Sequence, residues 1–179
     1  MMVHSLGKGH EYELHIAKEF SEWWYGKSFA GVRGDALPIR RTPMSGGFDH
    51  RSHPADLFCV EDPKGFPFSV ECKKQESFSW WAVFKKVETT PLWDWWKQTI
   101  AEGKFLSQIP ILCFAVNYSP DMLCTYQEFA VESLVEGVAL SFTDVVLRKV
   151  VVLRLDSFFT KQTNDRNFWS QKRCTLHEK

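Results

Sequence analysis

Asp56, Glu71 and Lys73 are the residues of this chain whose types and spacing could do chemistry together. Glu71 and Lys73 lie in the run Phe68-Ser69-Val70-Glu71-Cys72-Lys73-Lys74. In an extended strand alternate side chains share a face, so Ser69, Glu71 and Lys73 point one way while Phe68, Val70 and Cys72 point to a core. Asp56 sits in a second apolar run, residues 55–60, and the insert Glu61-Asp62-Pro63-Lys64-Gly65 carries the Pro and Gly of a turn. A hairpin built on that turn brings Asp56 beside Glu71. Two carboxylates and an amine at a sheet edge suit a divalent cation with a water activated next to it. Mg²⁺ takes oxygen ligands, keeps several waters and needs only one or two protein carboxylates when phosphate oxygens complete its shell. Phosphodiester hydrolysis fits that description. A lone Glu-x-Lys is an ordinary surface pattern; Asp56, two residues after Pro54, is what gives it weight.

These groups need elements to hold them. Residues 9–25 read as a helix. Counted from Glu13, the positions one, two and three turns on are Ile16, Ala17, Phe20, Trp23 and Trp24, an apolar stripe on which Glu13 itself lies. Glu11 falls about 160° away at 100° per residue and faces solvent. A carboxylate on the core side needs a partner, because an unpaired buried charge is costly; a metal site is one such partner and an ion pair at the helix start is another. Residues 37–42 read as an edge strand with adjacent Arg40 and Arg41, followed by Ser45-Gly46-Gly47, where a backbone free of side chains admits a close ligand. His50-x-x-His53 has no second pair at zinc-like spacing.

Past the hairpin, Trp80, Trp81, Phe84, Lys85 and Lys86 mix aromatic and basic character. They suit either packing or the stacking of splayed bases. Thr90 and Pro91 read as the N-cap and first turn of a helix over residues 92–102 that stops at Gly103 and carries Gln98. Residues 111–116 form a continuous apolar run, as in a strand covered on both faces. Residues 122–129 read as its antiparallel return, 129–136 as a short helix, and 145–155 as one or two further strands. The order is that of an α/β fold around a mixed sheet.

A chain of 179 residues with 44% apolar content is expected to form one domain, residues 1–179, with residues 161–179 as a mobile basic tail. Five cysteines without a Cys-x-x-Cys, four of them inside apolar runs, point to reduced core thiols and a reducing cytoplasm. No apolar run is long enough for a bilayer, so no membrane is expected. A formal net charge of zero excludes a generic polycation that coats nucleic acid.

The ordered set of Gly9, Glu13, Ser45-Gly46-Gly47, Pro54-x-Asp56, Val70-Glu71-Cys72-Lys73 and a helix bearing Gln98 before the apolar strand resembles the PD-(D/E)XK nuclease superfamily. It is most similar to Holliday junction resolvases of the archaeal and bacteriophage type, over roughly residues 7–118. The resemblance implies a restriction-endonuclease-like core of αβββαβ order. It also implies Mg²⁺, with Mn²⁺ as a substitute, held by Asp56, Glu71 and the backbone carbonyl of Cys72, with Glu13 completing the metal environment. Lys73 would position and help deprotonate the attacking water, its charged form disfavoured by burial and a nearby cation. Gln98 and Ser45 would support the substrate. From charge and placement, Arg40, Arg41 and Lys74 join Ser45 as DNA contacts. An alignment shifted along the first helix would use Glu11 instead of Glu13; helical phase and Gly9 favour Glu13. The expected activity is metal-dependent cleavage of four-way DNA junctions by a homodimer in the cytoplasm, the host's if the protein is phage-encoded. The alternatives are a nuclease of restriction or end and branch processing, and a non-catalytic DNA-binding module of the same fold.

Overall fold

A computed structural model describes residues 5–43, 54–130, 138–145, 148–162 and 164–174. Its centre is a mixed sheet of seven strands among the described residues, in the order β1-β2-β3-β4-β5-β7-β6. The strands are β1 (Ile39–Arg41), β2 (Leu57–Cys59), β3 (Phe68–Gln75), β4 (Ile109–Val116), β5 (Met122–Tyr126), β6 (Leu140–Thr143) and β7 (Lys149–Arg154). The helices are α1 (Ser5–Tyr25), α2 (Trp80–Lys86), α3 (Pro91–Leu106), α4 (Leu155–Lys161) and α5 (Arg166–Cys174). This is the α/β, restriction-endonuclease-like arrangement expected, with a short helix, α2, added between β3 and α3.

Strands β1, β2 and β3 are antiparallel neighbours, and β3 runs parallel to β4 over its whole length, Phe68 opposite Ile109 through Gln75 opposite Val116. A parallel pair needs a crossover, and α2 with α3 supplies it. Every residue of β4 is buried, as its unbroken apolar run requires of a strand covered on both faces.

On one face, α1 lays down Ile16, Ala17, Phe20 and Trp24, all buried. Their rings join a mesh with β3 and the C-terminal helices: Phe20 meets Phe159 edge-on at 5.0 Å and Phe68 meets Trp169 at 4.7 Å. Ser21 Oγ accepts the Ile39 N–H at 3.2 Å, tying α1 to the edge strand.

On the other face lies α3. It runs through Gly103 instead of stopping there. A Cβ at that position would come within 3.0 Å of the Gln108 carbonyl oxygen and 3.2 Å of Pro110 Cβ, so the glycine serves a close approach of helix to β4. The helix ends three residues later, capped by Ser107 in the left-handed region at φ 56°.

The expected mobile tail is also revised. Residues 166–174 form α5, seated by Trp169, which is fully buried; Arg173 donates to the Ser107 carbonyl at 2.7 Å and the Lys64 carbonyl at 2.7 Å. One large aromatic provides the apolar contact that the polar composition of the stretch conceals. The helix expected over residues 129–136 falls mostly outside the described residues; Gln127–Phe129 forms one 3₁₀ turn.

Candidate active site

Pairing of β2 with β3 begins at Leu57 opposite Val70, so the hairpin places Asp56 at the point where the two strands part. The Asp56 backbone is held from both sides: its N–H donates to the Val70 carbonyl at 3.0 Å and its carbonyl accepts from Thr42 N–H at 2.7 Å. Two residues beyond Val70, Cys72 has no β2 partner, and its N–H donates instead to Asp56 Oδ2 at 2.8 Å. The N–H and C=O of one strand residue point to the same neighbour. The Cys72 carbonyl is therefore turned to the side on which Asp56 stands.

Glu71 and Lys73 share the β3 face that α3 covers. Lys73 Nζ lies 2.5 Å from Glu71 Oε1. The Gln98 amide on α3 donates to the same Glu71 oxygen at 2.9 Å and, one turn along its own helix, to Glu102 Oε1 at 2.8 Å. Glu71 is 2% exposed and Asp56 8%. Glu102, also buried, is the member that sequence reasoning missed. Its signal was available as a carboxylate four residues after Gln98, on the same helical face.

Burial sets the electrostatics. Desolvation, then the charges of Glu71 and Glu13, push the Asp56 carboxyl up to about 8, against the opposing hydrogen bond from Cys72 N–H. Desolvation and the charge of Glu102 push Glu71 up to about 7, with Lys73 opposing. Glu102 is raised too, first by desolvation. The expectation of a disfavoured charge on Lys73 concerns a site that holds a cation; without one, its charged form is favoured. Burial alone would lower its pKa, but the charge and hydrogen bond of Glu71, with Asp56 and Glu102 behind them, raise it on balance. In the metal-free protein Lys73 is an ammonium pairing with Glu71.

Glu13 forms an ion pair with Arg41 and is close enough to Asp56 to raise its pKa. Glu11 is exposed, as helical phase requires. Arg41 is thus partly committed to Glu13, while Arg40 is anchored through its Nε to the Leu37 carbonyl at 2.6 Å. Both line an open groove of about 610 Å³ that also takes in His10, Leu14, Arg33 and Phe58. Lys74 is exposed, its ammonium 5.5 Å from the centre of the Tyr12 ring on the opposite face of β3 from Lys73. Ser45, like His50 and His53, lies outside the described residues.

Among the described residues, no three His, Cys, Asp or Glu side chains stand close enough to form a metal cage by themselves. The residues fit a cation that needs fewer protein ligands. Glu71 Oε2 is buried without a hydrogen-bond partner, Asp56 offers a second carboxylate, and the Cys72 carbonyl is turned to the same side. Hard oxygen donors of this type suit Mg²⁺ or a similar divalent ion. Cys59, Cys72, Cys113 and Cys124 are free, buried thiols. No described helix is long and apolar enough to cross a membrane.

The mixed sheet brings the acidic pair and the lysine together where an antiparallel hairpin adjoins a parallel strand, the arrangement that the PD-(D/E)XK resemblance implies. A family model described as "phage putative PDDEXK endonuclease" matches residues 4–170, and the chain belongs to that family. No curated protein and no solved structure matches it.

Proposed function

We propose that this protein is a divalent-metal-dependent DNA endonuclease, formed as one domain over residues 1–179, that resolves four-way junctions as a homodimer. The observation that carries the nuclease reading is the meeting of Asp56, Glu71 and Lys73, with a buried Glu71 oxygen left without a donor. The junction substrate is supported by the resemblance of the motif order to junction resolvases, while membership in a phage endonuclease family supports the nuclease reading alone. A two-fold symmetric junction calls for two sites related by a two-fold axis, hence a dimer.

Asp56, Glu71 and the Cys72 carbonyl would hold Mg²⁺ or Mn²⁺, with Glu13 behind Asp56. Such an ion supplies Lewis acidity toward the phosphate and lowers the pKa of a bound water. The remaining roles belong to the chain's own side chains. Lys73 places a cation beside Glu71, where it can orient the attacking water and offset charge that develops on the phosphate. Gln98 fixes the Glu71 rotamer through one hydrogen bond and is itself held by Glu102. Arg40, Arg41 and Arg33 along the groove give phosphates of the flanking strand cationic partners, with Lys74 and Ser45 as further contacts.

Cleavage of a four-way junction, a nicked duplex and a linear duplex, each with Mg²⁺ and with EDTA, tests the proposal. Metal-dependent symmetric nicking of the junction alone is the expected result. Equal rates on all three DNAs would remove the junction assignment and leave a PD-(D/E)XK nuclease of another role.

A further inference from the structure

Helix α2 exposes two of its aromatic side chains. Trp81 is 69% exposed and Phe84 58%, three residues apart and so on one face of the helix. Two large aromatic rings left in water on one helical face, beside lysines, make a candidate interaction surface. Lys85 carries its ammonium 5.4 Å from the centre of the Trp81 ring, and Lys86 follows it.

The opposite side of α2 fixes where this surface sits. Trp80 packs 6.0 Å from Phe114, centre to centre, and Phe78, just before the helix, packs 6.1 Å from the same ring. Phe114 of β4 is the register partner of Lys73 of β3. Partners on neighbouring strands stand about 4.8 Å apart and point to the same face. The exposed rings are thereby carried by a helix anchored one strand away from the candidate catalytic lysine. The N-terminus of α2 is set by Ser79, whose Oγ accepts from Ala82 N–H at 3.2 Å, so the helix starts at a defined residue.

We infer that Trp81 and Phe84, with Lys85, form a stacking platform for unpaired bases of the DNA strand whose backbone passes the Asp56–Glu71–Lys73 site. This deepens the nuclease reading and rests on it for the strand's path. The occupant follows from chemistry: every base has an apolar face that stacks on an aromatic ring, while the linking phosphates call for the cations that flank these rings. Buried tryptophans such as Trp96 pack the fold and need no such occupant. The inference assigns the protein a preference for DNA with unpaired bases beside the cut.

The test measures binding of the full chain, without divalent cation, to fluorescein-labelled oligothymidylate and to a blunt duplex of equal length. Trp81→Ala should weaken oligothymidylate binding roughly tenfold and the Trp81→Ala/Phe84→Ala double variant about a hundredfold, with duplex binding changed less than about twofold. Trp81→Phe should restore most of the affinity, and Lys85→Gln should lower the salt slope for oligothymidylate by about 0.7. Equal losses on both DNAs, no loss on either, or a wild-type dimer that the double variant converts to monomer would overturn the platform; the last would make the surface a contact between copies. Cleavage with Mg²⁺ separates the two readings. A chain that cuts no DNA yet loses oligothymidylate binding in Trp81→Ala keeps the platform and drops the nuclease. A chain that cuts junctions while Trp81→Ala binds normally drops the platform alone.

Discussion

Strand β3 has two faces that solve opposite problems. Toward α1, Phe68 and Val70 are buried, and Phe68 packs its ring against Phe20, Trp24, Phe66 and Trp169. Toward α3, the same strand buries Glu71 against Gln98 and Glu102, with Lys73 at the margin. The first face contributes stability at about 25 cal/mol for each Å² of apolar surface removed from water. The second pays a desolvation cost that raises the pKa of each carboxyl it holds. A fold that needed only stability would place apolar side chains on both faces. Carboxylates kept where they oppose folding therefore mark the face on which a cation is expected.

Asp56→Asn breaks this contrast most strongly. It removes one carboxylate from the proposed cation site while keeping an oxygen that can accept from Cys72 N–H. Cleavage with Mg²⁺ should fall by at least about a thousandfold, equivalent to roughly 4 kcal/mol of barrier. Without metal, DNA binding should hold at neutral pH, where the Asp56 carboxyl is largely protonated, and tighten above about pH 8, where a negative charge facing phosphate is lost. The thermal midpoint of the metal-free variant should rise at neutral pH because a buried group that opposes ionisation has gone. Wild-type cleavage rates would break the site assignment, and a lowered midpoint would break the comparison of faces.

Phe68→Ala attacks the other face. Phe68 is 1% exposed and meets Phe20, Phe66 and Trp169. Its loss should cost about 3–5 kcal/mol of unfolding free energy in denaturant titration, the range for emptying a buried aromatic site. Cleavage by the fraction that remains folded should stay within a few-fold of wild type, because its side chain points away from Glu71 and Lys73.

The two faces were not equally legible before the fold was seen. Period-two alternation in residues 68–74 assigns Glu71 and Lys73 to one face, and helical phase separates Glu13 from Glu11; both are local signals that survive folding. Glu102 shares a helical face with Gln98, but a glutamate near a helix end is ordinarily solvated, and only the packing of α3 over β3 buries it. Gly103 looked like a stop because glycine disfavours helix interiors. The close approach of β4 that calls for it is a tertiary fact. In the same way, polar residues 161–179 gave no hint that Trp169 would seat a helix on the core. Short-range periodicity put the candidate residues on one face, whereas contacts between distant segments decided their electrostatic environment.

That environment gives the metal-free protein a pH profile. Asp56 and Glu71 have folded-state values of about 8 and about 7, above their ordinary values of 3.8 and 4.5. Raised carboxyls favour folding while protonated, so their stabilisation is complete below about pH 4 and is lost as pH rises through 7 to 8. In EDTA the thermal midpoint should therefore fall between pH 5 and 8, on the order of 5 °C. Millimolar Mg²⁺ should flatten the decline, because a cation stabilises the ionised carboxylates in the folded state alone. A midpoint that rises over this interval in EDTA, or that ignores Mg²⁺, would show that these carboxyls are not held as the face demands.

His15 provides a smaller contribution of the same sign from outside both faces. It sits on α1 with its Nε2 3.1 Å from Asp121 Oδ2, and that hydrogen bond raises its pKa. Its contribution is present below pH 6.5 and lost as pH rises through its elevated folded-state value. The pair is largely exposed, so screening by solvent limits it to within about 1 kcal/mol. His15→Gln should remove only the upper part of the pH slope, and 0.5 M salt should have the same effect on wild type, because exposed charges are screened beyond a few Å. The slope that remains belongs to Asp56 and Glu71, whose buried interactions salt reaches poorly. If high salt abolished the whole decline instead, the cost would lie at the surface, and the burial that distinguishes the two faces of β3 would not be its source.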